Sequence, residues 1–504
     1  MFFLLLIWTI VLCLSIELGT RVILRTANYL YKPFFERQNS KVYRMVKFTE
    51  DFKSLPTKES FVSKKPTANN PKQNNEQPIP TDSYICNKDY ELTLQGVAEI
   101  KFDKKGNLIE SHGDPIFERN FHKHLQGIFY GYTDMEWNNI LSIIKTSPEK
   151  PIELKLKYMD IFTHLYEVQI IPGKEDVSLI AQESRNGYPL SLRQILGPEK
   201  ENSPWLVYNL IYKPFQKAPD PAPNTNNLGF RDDDVILPKP SNLLRIVCIG
   251  GSTTEKGNDT YSTYPNIMER KLKKYFSTEN IDVINAGICA GRSFGEVRRI
   301  DDFLSMQPDL LVYYNAINDI CYHYIPFWLA LPNPYKKYLK HSAFLNRMFN
   351  RKLLPSDEYI ADYLQKTILR NLGAMNCACK KRGVQMAICS FAYPKLKWFN
   401  FIGRLYCDFN IQNAWLYIVD DEITYNTYLH VINIYNCELK KFCEKEGIIY
   451  IPVAEEFNAQ LNHFCDVCHM TPLGLDVKTD IIGSHIARWI ENKNIFPRKA
   501  EPNN

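Results

Sequence analysis

From Leu243 onward, short apolar runs alternate with longer segments of helical periodicity. Leu243 to Ile249, Asp282 to Asn285, Leu310 to Tyr314, Val384 to Ser390 and Ile448 to Pro452 have the length and composition of strands buried on both faces. Between them, Tyr264 to Ser277, Ser293 to Ser305, Asp357 to Arg382 and Thr424 to Glu446 read as helices. Strand–helix alternation of this kind predicts an α/β fold, three layers deep, with a parallel sheet between helices. Reactive loops are then expected at the carboxyl ends of the strands.

The pattern upstream is different. Gly96 to Phe102 alternates with period two, Asp103-Lys-Lys-Gly106 is a turn, and Asn107 to Glu110 returns as a hairpin. Thr133 to Lys145 carries a capping residue and helical spacing. Ile152 to Tyr158, His164 to Ile171 and Val177 to Gln182 are three further strand-like runs. This predicts a smaller α+β domain over 84–203. Its element order and its Phe-Asp-Lys-Lys-Gly-Asn turn resemble a PAS-type sensor domain, and an unrelated α+β spacer fits the same pattern.

Polar stretches divide the chain. Val62 to Ser83 is rich in Lys, Pro, Asn and Gln and has little to bury, so 26–83 reads as a juxtamembrane segment and flexible linker. Prolines 214, 219, 221 and 223 mark Lys213 to Asn227 as extended, within a Pro-rich linker over 204–240, leaving 241–496 as the larger domain. The first 25 residues open with an apolar run, Met1 to Ile16, followed by Glu17 and Arg21. We read it as a signal anchor, a single-pass N-terminal membrane helix, in preference to a cleaved signal peptide, because no small-x-small site follows. Basic residues follow the run and none precedes it, which would keep the bulk of the chain cytoplasmic.

Composition narrows the classes. A net charge of +5 over 504 residues, with no basic helix or zinc-finger spacing, gives no case for nucleic-acid binding. The 13 cysteines are scattered, the pattern of buried thiols and not of a disulfide framework.

Two motifs carry candidate chemistry. Ser252 follows the strand-like run Leu243 to Ile249, within Cys248-Ile-Gly-Gly-Ser-Thr-Thr254. Asp466 and His469 stand three residues apart in Phe464-Cys-Asp-Val-Cys-His-Met-Thr-Pro-Leu-Gly474, directly before a predicted helix. A serine hydroxyl becomes a nucleophile when an imidazole takes its proton and a carboxylate holds that imidazole. Ser252 could instead cap a helix, and Asp466 could cap the helix after Pro472. Cys465-x-x-Cys468 beside His463 and His469 has the flavour of a zinc site, but no second ligand pair accompanies it.

At these residues the chain resembles the SGNH, or GDSL-like, hydrolase family. Four blocks correspond: Gly250-Gly251-Ser252-Thr253, Asn285-Ala-Gly-Ile-Cys-Ala-Gly-Arg-Ser293, Ala316-Ile317-Asn318-Asp319, and Asp466 to His469. Gly251 stands where many members have aspartate, and Ala316 where they usually have glycine. Leu228-Gly-Phe-Arg231 upstream is similar to one membrane-anchored branch, whose relatives are often taken to face outward, against the charge rule. The resemblance implies a flavodoxin-like hydrolase domain in which Ser252, His469 and Asp466 are catalytic. It also implies an oxyanion hole from the Ser252 amide, Gly291 (with Gly287 as the alternative) and Asn318. The implied activity is hydrolysis of an ester, lipid or acetylated carbohydrate, without cofactor or metal. An O-acyltransferase using the same triad, or a non-catalytic membrane-tethered sensor or scaffold, would carry the same residues. Oligomeric state has no signature here. Aromatic residues in Cys321 to Tyr335 and Tyr393 to Trp415 either line a pocket, meet a bilayer, or pack beneath long connections.

Overall fold

The computed structural model describes residues 9–23, 86–95, 97–112, 134–159, 163–183, 215, 224–257, 259–289, 291–330, 333–339, 341–397, 401–414 and 424–496. Two five-stranded sheets organise them.

The first sheet is antiparallel throughout. Helix α1 (Lys88–Gln95) precedes β1 (Val97–Asp103) and β2 (Leu108–His112); α2 (Asp134–Thr146), β3 (Ile152–Met159), β4 (Thr163–Pro172) and β5 (Asp176–Glu183) follow. The strand order is β2-β1-β5-β4-β3. Alternation puts Ile100 and Phe102, Val168 and Ile170, and Val177 and Leu179 on one buried face, joined by Ile140 and Ile144 of α2. At the β1–β2 turn, Asp103 accepts hydrogen bonds from the Lys105 and Asn107 amides, and Gly106 takes φ +82°.

The second sheet is parallel. The elements that frame it include β6 (Leu244–Gly250), the one-turn helix α3 (Ser252–Glu255), α4 (Tyr264–Phe276), β7 (Ile281–Gly287), α5 (Ser293–Arg298), β8 (Leu310–Tyr314), α6 (Arg370–Lys381), β9 (Gln385–Cys389), α7 (Tyr425–Glu446), β10 (Ile449–Ile451) and α8 (Pro472–Asn492). The order is β10-β9-β8-β6-β7, so the chain reverses direction across the sheet on either side of β6. Ligands of such sheets bind at that reversal, beyond the carboxyl strand ends. Every residue of β6 and β8 is buried, as expected when helices cover both faces. Gly250 pairs with Gly287 on one side and Tyr314 on the other, so three strand ends finish level. The ion pairs of Lys271 on α4 with Asp476 (2.8 Å) and Asp480 (2.5 Å) on α8 are buried.

Several expectations are modified. The helix foreseen over Ser293 to Ser305 breaks at Arg299, where the backbone leaves helical geometry at φ −102°, ψ 11°. Asp357 to Arg382 stays helical but passes through a wider π turn at Gln365–Leu369. The linker foreseen over 204–240 is packed at its end: Leu228, Phe230 and Val235 enter the core of the parallel sheet's unit. Asn226 fixes that entry by accepting from the Leu228 and Phe230 amides. The thiols are not all free, because Cys86 and Cys377 form a disulfide that fastens the start of α1 to α6. Lys381–Glu91 (3.0 Å) and a bond from the Tyr90 hydroxyl to Glu446 (3.2 Å) reinforce this docking.

Residues 9–23 are helical with Leu12, Leu14 and Leu18 exposed. Among the described residues no helix is long and apolar enough to cross a membrane. Glu17 and Arg21 interrupt the apolar run and pair with each other at 2.7 Å, and Glu17 also accepts from the Ser342 hydroxyl. Residues 1–8, the linker Val62 to Ser83 and most of 184–223 lie outside the described residues.

Candidate active site

The chain leaves β6 through Gly250, whose φ of +153° and whose close approach to the Tyr314 carbonyl, where a Cβ would clash, admit only glycine. Two residues later Ser252 opens α3. At the first position of a one-turn helix, its N–H has no acceptor in its own helix. The side chain is buried, and its Oγ lies 2.7 Å from His469 Nε2, 217 residues away.

The His469 ring is held from behind. Its Nδ1 is 2.6 Å from Asp466 Oδ2, while Asp466 Oδ1 accepts from the backbone amides of Cys468 (2.8 Å) and His469 (2.7 Å). Asp466 thus shapes its own loop and orients the imidazole. Burial pushes its carboxyl up, but the His469 charge and these hydrogen bonds together outweigh burial and hold it well below the usual carboxylate range. Asp466 does not cap α8: Thr471 does, accepting from the Gly474 amide.

Asn318 and Gly291 converge on the same spot from the ends of β8 and β7. Asn318 Nδ2 donates to the Gly291 carbonyl at 2.7 Å, and Asn315 Nδ2 donates to it at 2.8 Å. A Cβ on Gly251 would stand 2.6 Å from Asn318 Nδ2, so that amide group sits against the residue before Ser252. The Gly291 N–H, foreseen as an oxyanion donor, donates to the Ile288 carbonyl at 2.8 Å, while its own carbonyl accepts from both asparagines. Gly287 packs against the far end of α3, where a Cβ would meet the Glu255 backbone at 2.5 Å.

Asp466, Cys468 and His469 offer ligand atoms within 4.8 Å of one another. The zinc reading fits them poorly. Carboxylate and ring nitrogen are already bonded to each other, and burial, then the Asp466 charge, push the Cys468 thiol up, away from the thiolate a metal requires. His463 is turned to the Gln460 amide, and no disulfide joins Cys465 to Cys468.

The sequence reading missed three buried groups around this site. Glu296, on α5, accepts from Asn315 at 3.1 Å, and burial followed by the Asp319 charge pushes it up to about 8. Arg231 faces Glu255 at 3.9 Å, both buried, which joins the Leu228-Gly-Phe-Arg231 phrase to α3. Lys478 of α8 donates to the Thr253 carbonyl at 2.8 Å. Its one signal is a lysine at helical spacing between Leu475 and Ile482, on a stripe that is otherwise buried. Of the aromatic inserts, Tyr324, Trp328 and Tyr406 are buried as packing, Trp328 against Tyr363 at 5.5 Å between ring centroids. Trp398, Phe399 and Trp415 lie outside the described residues.

No family model matches the chain. No curated protein matches it either. Solved structures do resemble it over about half its length. A GDSL-like lipase from Bacteroides thetaiotaomicron is 16% identical over 51% of this chain and 93% of its own, with a TM-score of 0.30. A psychrotrophic esterase, EstA, from Pseudoalteromonas sp. is 12% identical over 49% and 99%, with a TM-score of 0.30. An acetylxylan esterase from Geobacillus stearothermophilus is 12% identical over 48% and 94%, with a TM-score of 0.30.

Proposed function

We propose that the chain is a serine ester hydrolase of the SGNH type, with Ser252 as nucleophile, His469 as general base and acid, and Asp466 as its orienting carboxylate. One observation carries this reading. An unbroken line of short hydrogen bonds, 2.7 Å from Ser252 to His469 and 2.6 Å from His469 to Asp466, ends at the sheet's switch point.

In this reading Ser252 Oγ attacks the ester carbonyl as its proton passes to His469 Nε2. The tetrahedral intermediate gathers negative charge on the former carbonyl oxygen. The Ser252 N–H and the Asn318 side-chain amide face that oxygen, and the Gly291 carbonyl aims Asn318. His469 returns the proton to the departing alcohol, and a water then releases the acyl group by the reverse route. Asp466 stays ionised throughout and keeps the ring in the tautomer that leaves Nε2 bare.

The ester is an acyl or O-acetyl group on a lipid or carbohydrate. We assign the apolar first 25 residues to membrane attachment, on their composition and on the exposed Leu12, Leu14 and Leu18, and the first sheet to a PAS-like module on its strand order. The direct test of the enzymatic reading is hydrolysis of p-nitrophenyl acetate and butyrate by the full chain and by Ser252→Ala. The variant should be inactive and as stable as its parent. An active Ser252→Ala protein defeats the assignment.

A further inference from the structure

Lys478 is an unusual residue to find where it stands. It is 1% exposed, on the face of α8 that also buries Leu475 and Ile482. Among the described residues it forms no ion pair. The groups that face it come from five elements: Cys248 on β6, Tyr264 on α4, Tyr314 on β8, Cys389 on β9, and Cys468 in the loop before α8. Burial pushes all five up, Cys248 to about 12, so thiols and phenols alike are neutral near pH 7. Its ammonium has two ring faces, with centroids 4.2 Å away at Tyr264 and 4.5 Å at Tyr314, and one carbonyl. A lone buried cation opposes folding, and a leucine or methionine would fill the same space at lower cost.

What the ammonium grips explains its presence. The Thr253 carbonyl belongs to the residue after the nucleophile. Helix α3 is four residues long, so its final carbonyls lack partners within the helix. Lys478 Nζ supplies one at 2.8 Å. The same helix, α8, starts at Pro472, three residues beyond His469, and its Thr471 cap fixes that start. A closed circuit results: Ser252, the Thr253 carbonyl, Lys478, α8, His469, and back to Ser252.

We propose that Lys478 is a positioning residue: its ammonium ties the turn carrying Ser252 to the helix behind His469 and so holds Oγ within bonding reach of Nε2. This rests on the Ser252 reading above. Burial lowers the Lys478 amine to about 7, so the tie is charged below neutral pH and loses its ring attraction above it. A decline of kcat on the alkaline side is then the expected signature of this tie, since Asp466 stays ionised there.

The test compares the full chain with Lys478→Met and Lys478→Arg, using p-nitrophenyl butyrate from about pH 6 to about pH 9, and measures hydrogen exchange of the segment 250–257. The methionine variant should fold, lose roughly 10²-fold in kcat below neutral pH, the cost of a misplacement near 1 Å, and keep its KM. Its alkaline decline should vanish, and exchange in 250–257 should quicken. Arginine should restore part of kcat without a decline near neutrality. Parental kcat and pH profile in Lys478→Met, or unchanged exchange in 250–257, overturns the proposal. Should methionine prevent folding, the parent decides: a flat kcat across neutral pH overturns it, and a decline that Arg removes supports it. The exchange result stands whether or not Ser252 proves to be the nucleophile, so the failure of one idea is distinguishable from the failure of the other.

Discussion

Replacing Asp466 with asparagine separates its two jobs. Oδ1 accepts from the Cys468 and His469 amides, and the asparagine carbonyl can keep both bonds. Oδ2 faces His469 Nδ1 at 2.6 Å, and there the variant presents an NH2 group. To accept from it, the ring must bare Nδ1 and carry its proton on Nε2, the atom 2.7 Å from Ser252 Oγ. Nε2 can then no longer take the serine proton. A wrong tautomer of this kind costs on the order of 10⁴ in kcat in a serine triad, or about 5 kcal/mol at 1.36 kcal/mol per decade. The loop bonds survive, so stability near neutral pH should change by much less than activity. An acid-side signature accompanies this. The folded-state pKa of Asp466 is depressed, so its contribution to stability is present above the ordinary carboxylate value of about 4 and is lost as pH falls below it. The Asp466→Asn variant, with no carboxyl to titrate there, has no such slope. The assay is kcat and KM on p-nitrophenyl butyrate beside thermal unfolding across acidic pH. An Asp466→Asn enzyme keeping more than about a tenth of parental kcat would refute the reasoning.

Two other substitutions probe the surroundings. Gly251→Ala places a Cβ 2.6 Å from Asn318 Nδ2 and must push that amide aside; kcat should fall by ~10²–10³, the loss of one oxyanion donor, and a parental rate would show that Asn318 does not act there. Glu296 has a folded pKa raised to about 8 from 4.5, so the folded state holds a proton that the unfolded state gives up between those values. Its stabilising contribution is complete below about 4.5 and is lost as pH rises toward 8. Glu296→Gln should flatten the fall in melting temperature over that range, and identical slopes in parent and variant would remove Glu296 as the cause.

Much of the candidate site's frame is legible in the chain because it rests on local signals. Strands buried on both faces announce themselves as unbroken apolar runs, and Leu310–Tyr314 is read at its observed bounds. Ser252 and the 466–469 loop follow from motif and position. Gly291 is less legible, because whether its N–H or its carbonyl faces the site depends on a turn closing onto Ile288, which nothing in Ala-Gly-Arg specifies. Asn315 escapes a sequence reading because it differs from Asn318 by three residues and both reach the same carbonyl. Lys478 and Glu296 are invisible for another reason. A charged residue on a helix reads as solvated, and only the packing of five elements around one ammonium, or of Asp319 beside one carboxyl, makes it a buried group. The end of the 204–240 linker is misread because its prolines outweigh three apolar residues that the core takes up.

The central claim is that Ser252 is a nucleophile made reactive by His469. Treating the full chain with a fluorophosphonate and locating the adduct by mass spectrometry addresses it directly. The account predicts a single modified residue, Ser252, and loss of that modification in His469→Ala protein that remains folded. Modification at another serine, or undiminished reaction at Ser252 without His469, would contradict it.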